Sequence, residues 1–273
     1  VGVPRLDRQY SDRCVEVGVE ERVPVGIVSQ GSPKTYTQRL KEAGMKVIHT
    51  CSTVEHAKKA EQAGVDAVIA SGTEGGGHSG FHQITTICLV PQVADAVKIP
   101  VLAGGGISDA RGLIAALALG AGGVYMGTRF ICTKECNTHH NVKQLVLDAK
   151  DTSTMAIRHG MPSVKGPGDR GFAEERRGSL RMIVNERVRN ILEQQAAGAT
   201  WEDMMQAILK APAEAGNSRT AATFLGGDVT TGITSAGQEA GMINDIPSCQ
   251  ELIQRMVQEA KPILKKLEAN FSR

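Results

Sequence analysis

Between residues 23 and 130, short apolar runs alternate with helix-period segments, and a glycine or proline marks most of the joins. The strands expected from this pattern are Val25–Ser29, Lys46–Thr50, Ala67–Ser71, Val101–Ala103 and Val124–Met126. Amphipathic helices are expected between them: Tyr36–Ala43 before Gly44, Val54–Ala63 before Gly64, and the Ala-rich Ala110–Leu119 before Gly120. A glycine just past the last periodic residue can take the left-handed conformation that ends a helix, so each of these three is read as a C-cap. Ser108 and Asp109 supply the polar start of the third helix. Apolar strands separated by helices imply a parallel sheet with both faces covered.

Such a series can form an open doubly wound sheet or a (β/α)8 barrel. Glycine-rich sequences stand at the C-terminal ends of several successive strands: Ser71–Gly77, Gly104–Gly106 and Gly127-Thr128. A barrel gathers every strand end around one mouth, whereas an open sheet uses only its switch point, so the barrel is the expected fold. Five strands are visible after residue 20, with Val1–Val3 as a further remnant. The expected fold is therefore an α/β (β/α)8 TIM barrel with a helical insertion, lacking its first strands in this chain. If Val1–Val3 ends the third strand, about 60–75 residues of barrel are missing, through truncation or separate encoding. Expected boundaries are 1–137 and 223–245 for the barrel portion, 138–222 for a helical insertion on the substrate side, and 246–273 for a C-terminal helix. No strand alternation stands out in 138–222, and Pro162–Gly171 reads as an exposed loop. The last helix, Cys249–Asn270, carries apolar residues at 252, 253, 256, 257, 260, 263, 264 and 267, a stripe expected to pack on the body of the protein.

Charge excludes some functions. With 31 basic and 29 acidic side chains, the chain lacks the basic footprint of a nucleic-acid binder. No apolar run reaches the ~18–20 residues of a membrane span. The N-terminus shows no signal-peptide pattern, and the six scattered cysteines are read as reduced thiols in a cytoplasmic protein. Cys132 and Cys136, followed by His139 and His140, lack a second ligand pair; they are read as ordinary thiols and loop residues, with no metal.

Composition matters for one entry, 31 glycines against nine aromatic residues. Gly75, Gly76 and Gly77 directly precede His78. Bare α-carbons let a flat ring or a phosphate approach the main chain, and histidine can donate or accept a proton near neutral pH. Gly104, Gly105 and Gly106 end one strand, and Met126, Gly127 and Thr128 end the next. Successive strand ends with free N–H groups are the usual place for a phosphate in a barrel. Neither glycine cluster is followed by Gly-Lys-Ser/Thr, so neither is a Walker A loop, and neither is read as a dinucleotide-binding fingerprint.

Three segments carry a family resemblance: Asp66–His78, Ile99–Ile107 and Gly123–Phe130. Together with Gly226–Val229 and Ser235–Gln238, they resemble the flavin-dependent nitronate monooxygenases, formerly 2-nitropropane dioxygenases. That family includes the FMN-dependent enoyl-acyl-carrier-protein reductases. The resemblance runs from about residue 20 to 245. It implies a cytoplasmic FMN enzyme with FMN at the C-terminal mouth of a barrel. Gly105, Gly106, Gly127 and Thr128 would hold the 5′-phosphate, with Gly104 and Met126 beside them. Ser71 and Gly76 would border the flavin, although the family often has Gln or Glu where Ser71 stands. His78 matches the active-site histidine, and Gly77, Ser235 and Gln238 would line the substrate side. The implied reaction is oxidation of alkyl nitronates with O2. The alternatives are an enoyl-thioester reductase drawing on NAD(P)H and a non-catalytic flavin-binding subunit; a homodimer is the expected assembly.

Overall fold

The computed structural model describes residues 2–3, 8–29, 31–158, 178–200, 203–204, 206 and 219–272. The expected loop Pro162–Gly171 lies outside these residues. The chain divides into two compact units: residues 1–73, 84–104 and 113–125 form the first, and 74–83, 105–112 and 126–273 form the second.

The first unit is built on six parallel strands. These are β1 (Gly2–Val3), β2 (Val25–Val28), β3 (Lys46–Cys51), β4 (Ala67–Ser71), β6 (Val101–Gly104) and β7 (Gly123–Tyr125). They pair in chain order without reversal, with registers such as Val25↔Lys46, Ile48↔Ala67 and Val68↔Val101. β–α–β connections are right-handed, so an order that never reverses keeps every crossover helix on one face. This is the winding of a barrel, unlike that of a doubly wound sheet. Among the described residues the sheet is an open arc with β1 and β7 at its edges.

The helices of the first unit follow from their sequences. Thr53 accepts a hydrogen bond from the His56 N–H and starts α3 (Val54–Gln62), which packs on β3 and β4. Helix α4 (Thr86–Ala96) packs on β4 and β6 through Leu89, Val90 and Val93. Helices α2 (Thr37–Glu42), α3 and α5 (Ala110–Ala118) end at Gly44, Gly64 and Gly120, whose φ values are +80°, +84° and +93°. The expected helix stops are therefore where the sequence placed them. Helix α1 (Arg8–Glu20) was not anticipated.

The two faces of the sheet are buried to different degrees. In β3 the side chains alternate: Val47, His49 and Cys51 are buried, while Ile48 and Thr50 are only half-buried. Strand β2 alternates in the same way, and only β4 has a continuous buried run, Val68 to Ala70.

His49 has an acid-stability consequence. It is 4% exposed, with Nδ1 against the Thr50 carbonyl at 2.9 Å. Burial holds its pKa below the usual value, reinforced by the charge of His56 and opposed by the Thr50 contact. The unfolded chain binds this proton near pH 6.5 and the folded chain resists it, so stability falls as pH drops below about 6.5. Urea titrations at pH 7 and pH 5.5 should show that loss, at no more than ~1.4 kcal/mol per pH unit from this group. His49→Gln should flatten the slope; an unchanged slope would assign the effect to other groups.

The second unit contradicts the reading of 138–222 as strand-free. Strands β8 (Thr154–Arg158) and β9 (Ser179–Ile183) pair antiparallel, and β9 also pairs with β5 (Gly77–Ser79). Every residue of β9 is buried; Ser179, Leu180, Arg181 and Met182 do alternate polar and apolar, but over too short a run to stand out from the sequence around it. Leu180 and Met182 join Ile157, Val188, Ile191, Met204 and Ile233 in one cluster. Ile183 joins Cys132, Val146, Ala236, Ala240 and Ile243 in another. Strand β9 thereby anchors the 233–243 segment from two sides. Between β8 and the C-terminus lie α8 (Glu186–Ala196) and α9 (Arg219–Phe224).

The C-terminal helix α10 (Cys249–Phe271) opens with a capping box between Ser248 and Glu251. Its stripe is only partly core. Leu252, Met256 and Ala260 are buried, whereas Ile253, Val257, Leu264 and Leu267 are 41–54% exposed. The expectation that the whole stripe packs on the protein body is corrected accordingly: one turn-spaced row packs and its neighbour faces outward.

Candidate active site

The candidate site of the second unit is built from three backbone segments. His78 lies on a strand, not in the glycine-rich loop in which the sequence seemed to place it. In β5 it stands opposite Leu180, while Gly77 stands opposite Arg181 and Ser79 opposite Ser179. Ser79 Oγ and Ser179 Oγ lie 2.7 Å apart, and Gln83 bridges both, with Nε2 donating to Ser79 Oγ and Oε1 accepting from Ser179, each at 3.2 Å. These polar contacts pin the strand beside His78. The imidazole is solvent-accessible yet crowded by protein atoms, and that partial desolvation lowers its pKa. His78 is therefore neutral at pH 7, with one donor and one acceptor nitrogen.

The spacing Gly75-x-Gly77-x-x-Gly80 satisfies the letter of a dinucleotide fingerprint. It runs into β5 and not into a helix, so the structural context of that fingerprint is missing.

Ser235 lies close to Gly77 of this strand, and Gln238 bonds to the stretch just before it. The Gln238 N–H donates to the Glu74 carbonyl at 2.9 Å, and a Cβ on Gly77 would lie 3.9 Å from Ser235 Cβ. At Gly76 a Cβ would stand 2.6 Å from the Ala236 carbonyl carbon and 2.7 Å from the Gly237 nitrogen. Backbone cannot yield as a side-chain tip can, so Gly76 is needed for packing whatever its role toward a ligand. Gly76→Ala should cost about 1–3 kcal/mol as the two segments are forced apart. Thermal unfolding should register this as a loss of roughly 2–4 °C per kcal/mol; an unchanged melting temperature would show that the segments slide past each other freely.

The third segment comes from the strand ends. Gly105 and Gly106 have φ of +100° and +73°, a left-handed stretch that side chains disfavour. Met126 and Gly127 follow β7, and Thr128 is buried at the start of the short helix α6 (Thr128–Ile131). The Gly106 N–H and the Thr128 hydroxyl both meet the carboxylate of Glu239: Gly106 N lies 3.3 Å from Oε2, and Thr128 is its side-chain hydrogen-bond partner. Thr128 Oγ1 in turn accepts from the Gly237 N–H at 3.0 Å. Glu239 is 5% exposed. Burial raises its pKa, opposed by its own backbone N–H, by Thr128, by Gly106 and by the charge of Arg181. Two of the groups expected to bind phosphate, the Gly106 N–H and the Thr128 hydroxyl, thus meet one carboxylate, a pair of donors of the kind that cradles an anion.

Glu239 and Arg181 were missed at the level of sequence. Glu239 follows Gln238 inside a Gly/Ser/Thr-rich stretch, and a lone acid among such residues was the available signal. Arg181 lies in the segment read as lacking strands. In the first unit, Ser71 and Gly104 are the last residues of β4 and β6 and are register partners. A Cβ on Gly104 would come within 3.1 Å of Ile69 Cγ2, a tight contact that the Ile69 side chain would relieve by a small shift.

The cysteine–histidine segment has local roles. Cys132 Sγ faces the Lys143 carbonyl at 3.6 Å, and burial pushes its thiol up to about 11. His139 Nδ1 accepts from the Asn141 N–H and caps α7 (His140–Leu147). All six cysteines are free thiols. No described helix is long and apolar enough to cross a membrane.

The relatives of this chain point to an oxidoreductase. The chain is a member of the nitronate monooxygenase family, whose model matches residues 2–259. It is 34% identical over 291 residues to a hydroxy-methyl-oxo-octahydro-indene-carboxyl-CoA dehydrogenase of Rhodococcus jostii, covering 97% of this chain and 78% of that one. A probable nitronate monooxygenase of Staphylococcus aureus is 37% identical over 166 residues, 57% of this chain and 47% of the relative. Among solved structures, FabK from Thermotoga maritima superposes with a TM-score of 0.82 at 34% identity, covering 99% of this chain and 78% of that one.

Proposed function

We propose that this chain is an FMN-dependent oxidoreductase acting on a carbon made acidic by an adjacent electron-withdrawing group. The observation that carries this reading is a strand-held His78 in the same unit as an anion cradle formed by Gly106 and Thr128. Gly105, Gly106, Gly127 and Thr128 would hold the cofactor's phosphate, with Met126 and Gly76 beside it. FMN would supply the redox chemistry when bound. Gly77, Ser235 and Gln238 would border the substrate.

Family membership supports an alkyl nitronate oxidised with O2. On this reading, His78 presents its neutral imidazole to the nitronate and orients it, or takes the α-proton of the parent nitroalkane to form the nitronate. A second reading is favoured by the extent of one match: the relative aligned over 97% of this chain carries a carboxyl-CoA name. There the substrate is an enoyl thioester, the electron donor is NAD(P)H, and His78 polarises the thioester or supplies the proton to the carbon beside its carbonyl as the double bond is reduced. Steady-state assays separate the two. Oxygen consumption that depends on a nitronate supports the first; NAD(P)H oxidation that depends on an enoyl thioester overturns it in favour of the second.

A further inference from the structure

We propose that Glu239 is a tethered anion seated in the phosphate cradle, and that a phosphate-bearing ligand enters by displacing its carboxylate. This inference rests on the FMN reading above and goes further, because it assigns Glu239 control of cofactor affinity. The carboxylate takes two donors that a phosphate at this site would need, the Gly106 N–H and the Thr128 hydroxyl. It is also held closely. A Cβ on Gly237 would collide with the Glu239 carboxylate, so the bare α-carbon there makes room for it. The 235–239 segment is fixed by Gln238 N–H on the Glu74 carbonyl and by Gly237 N–H on Thr128 Oγ1, so the carboxylate is presented from an anchored backbone.

A carboxylate and a phosphate cannot share these donors. Each needs the N–H and O–H dipoles, and two anions within a few ångströms repel strongly where water is excluded. Binding therefore requires the Glu239 side chain to rotate away, and the affinity measured for a phosphate ligand is the intrinsic affinity reduced by the fraction of molecules with the carboxylate still in place. Arg181, whose charge acts on Glu239, favours the seated position. The device gives preference to ligands carrying a phosphate strong enough to evict a carboxylate, and it keeps the cradle's donors paired with an internal group.

The test compares wild type with Glu239→Gln, which keeps shape and removes charge, by fluorescence titration with FMN and with riboflavin. FMN should bind Glu239→Gln about tenfold more tightly or better, the scale set by removing one like charge beside a phosphate. Riboflavin, which has no phosphate, should bind both proteins alike. Glu239→Ala should tighten FMN in the same direction and guards against poor packing of the amide. Equal or weaker FMN binding in both variants would overturn the inference while leaving the FMN reading intact. Equal tightening of FMN and riboflavin would also overturn it, because the effect would not be on the phosphate. Failure of wild type and variants alike to bind FMN would overturn the FMN reading, and this inference with it.

Discussion

His78→Ala should lower turnover by about 10²–10⁴-fold while FMN affinity stays essentially unchanged, the first figure being the usual worth of a positioned general acid or base. The two halves of this expectation have separate origins. The proposed phosphate contacts come from Gly106 and Thr128, neither of which depends on the imidazole. The imidazole is held by β5, where Ser79 is tied to Ser179 and Gln83, so truncating His78 leaves its strand in place. Acid should mimic the substitution. Crowding keeps the His78 pKa below the usual value, so the neutral form persists at pH 7 and is lost only in acid. kcat/KM should therefore hold through the ordinary histidine range and fall only on its acid side, and the alanine variant should lose this limb. A variant with full activity, or one that keeps the acid limb, would remove His78 from the chemistry.

Gly105→Val should abolish FMN binding and leave a folded protein. Gly105 has φ of +100°, and the next residue, Gly106, is also left-handed. Left-handed backbone costs an ordinary L-residue roughly 1–2 kcal/mol, and a β-branched side chain is the worst case. A loss of that size is tolerable against a typical folding stability of about 5–15 kcal/mol, so the chain survives by shifting this turn. The shift carries the Gly106 N–H away from the position in which it now meets an anion. Gly105→Ala, with less steric demand, should weaken binding without eliminating it. Titration with FMN alongside thermal unfolding separates loss of the cradle from loss of the fold. Retained flavin colour in Gly105→Val would place the phosphate elsewhere.

Much of the first unit could be read from sequence because its signals are local. Val25, Lys46, Ala67 and Val101 start strands where apolar runs begin, and Gly44, Gly64 and Gly120 stop helices through their own φ angles. The second unit was less legible for a physical reason. Strand β9 is five residues long, so the alternation of Ser179, Leu180, Arg181 and Met182 is too brief to stand out, and its partner β5 comes from residues a hundred positions earlier inside a glycine-rich run. Pairing across such a distance leaves nothing in either segment that says which partner it will meet. The candidate site divides along the same line. Gly76, His78, Gly106, Thr128 and Gln238 stood out by residue type, spacing or family resemblance. Glu239 became visible only when the fold brought residue 239 to residue 106, since an acidic side chain in an expected phosphate site is the opposite of what charge would predict.

The central claim is tested most directly by the absorption spectrum of the purified protein after incubation with FMN and removal of free cofactor. Retained flavin bands that are lost in Gly105→Val and kept in His78→Ala are the predicted result. A colourless wild-type protein at saturating FMN would contradict the account.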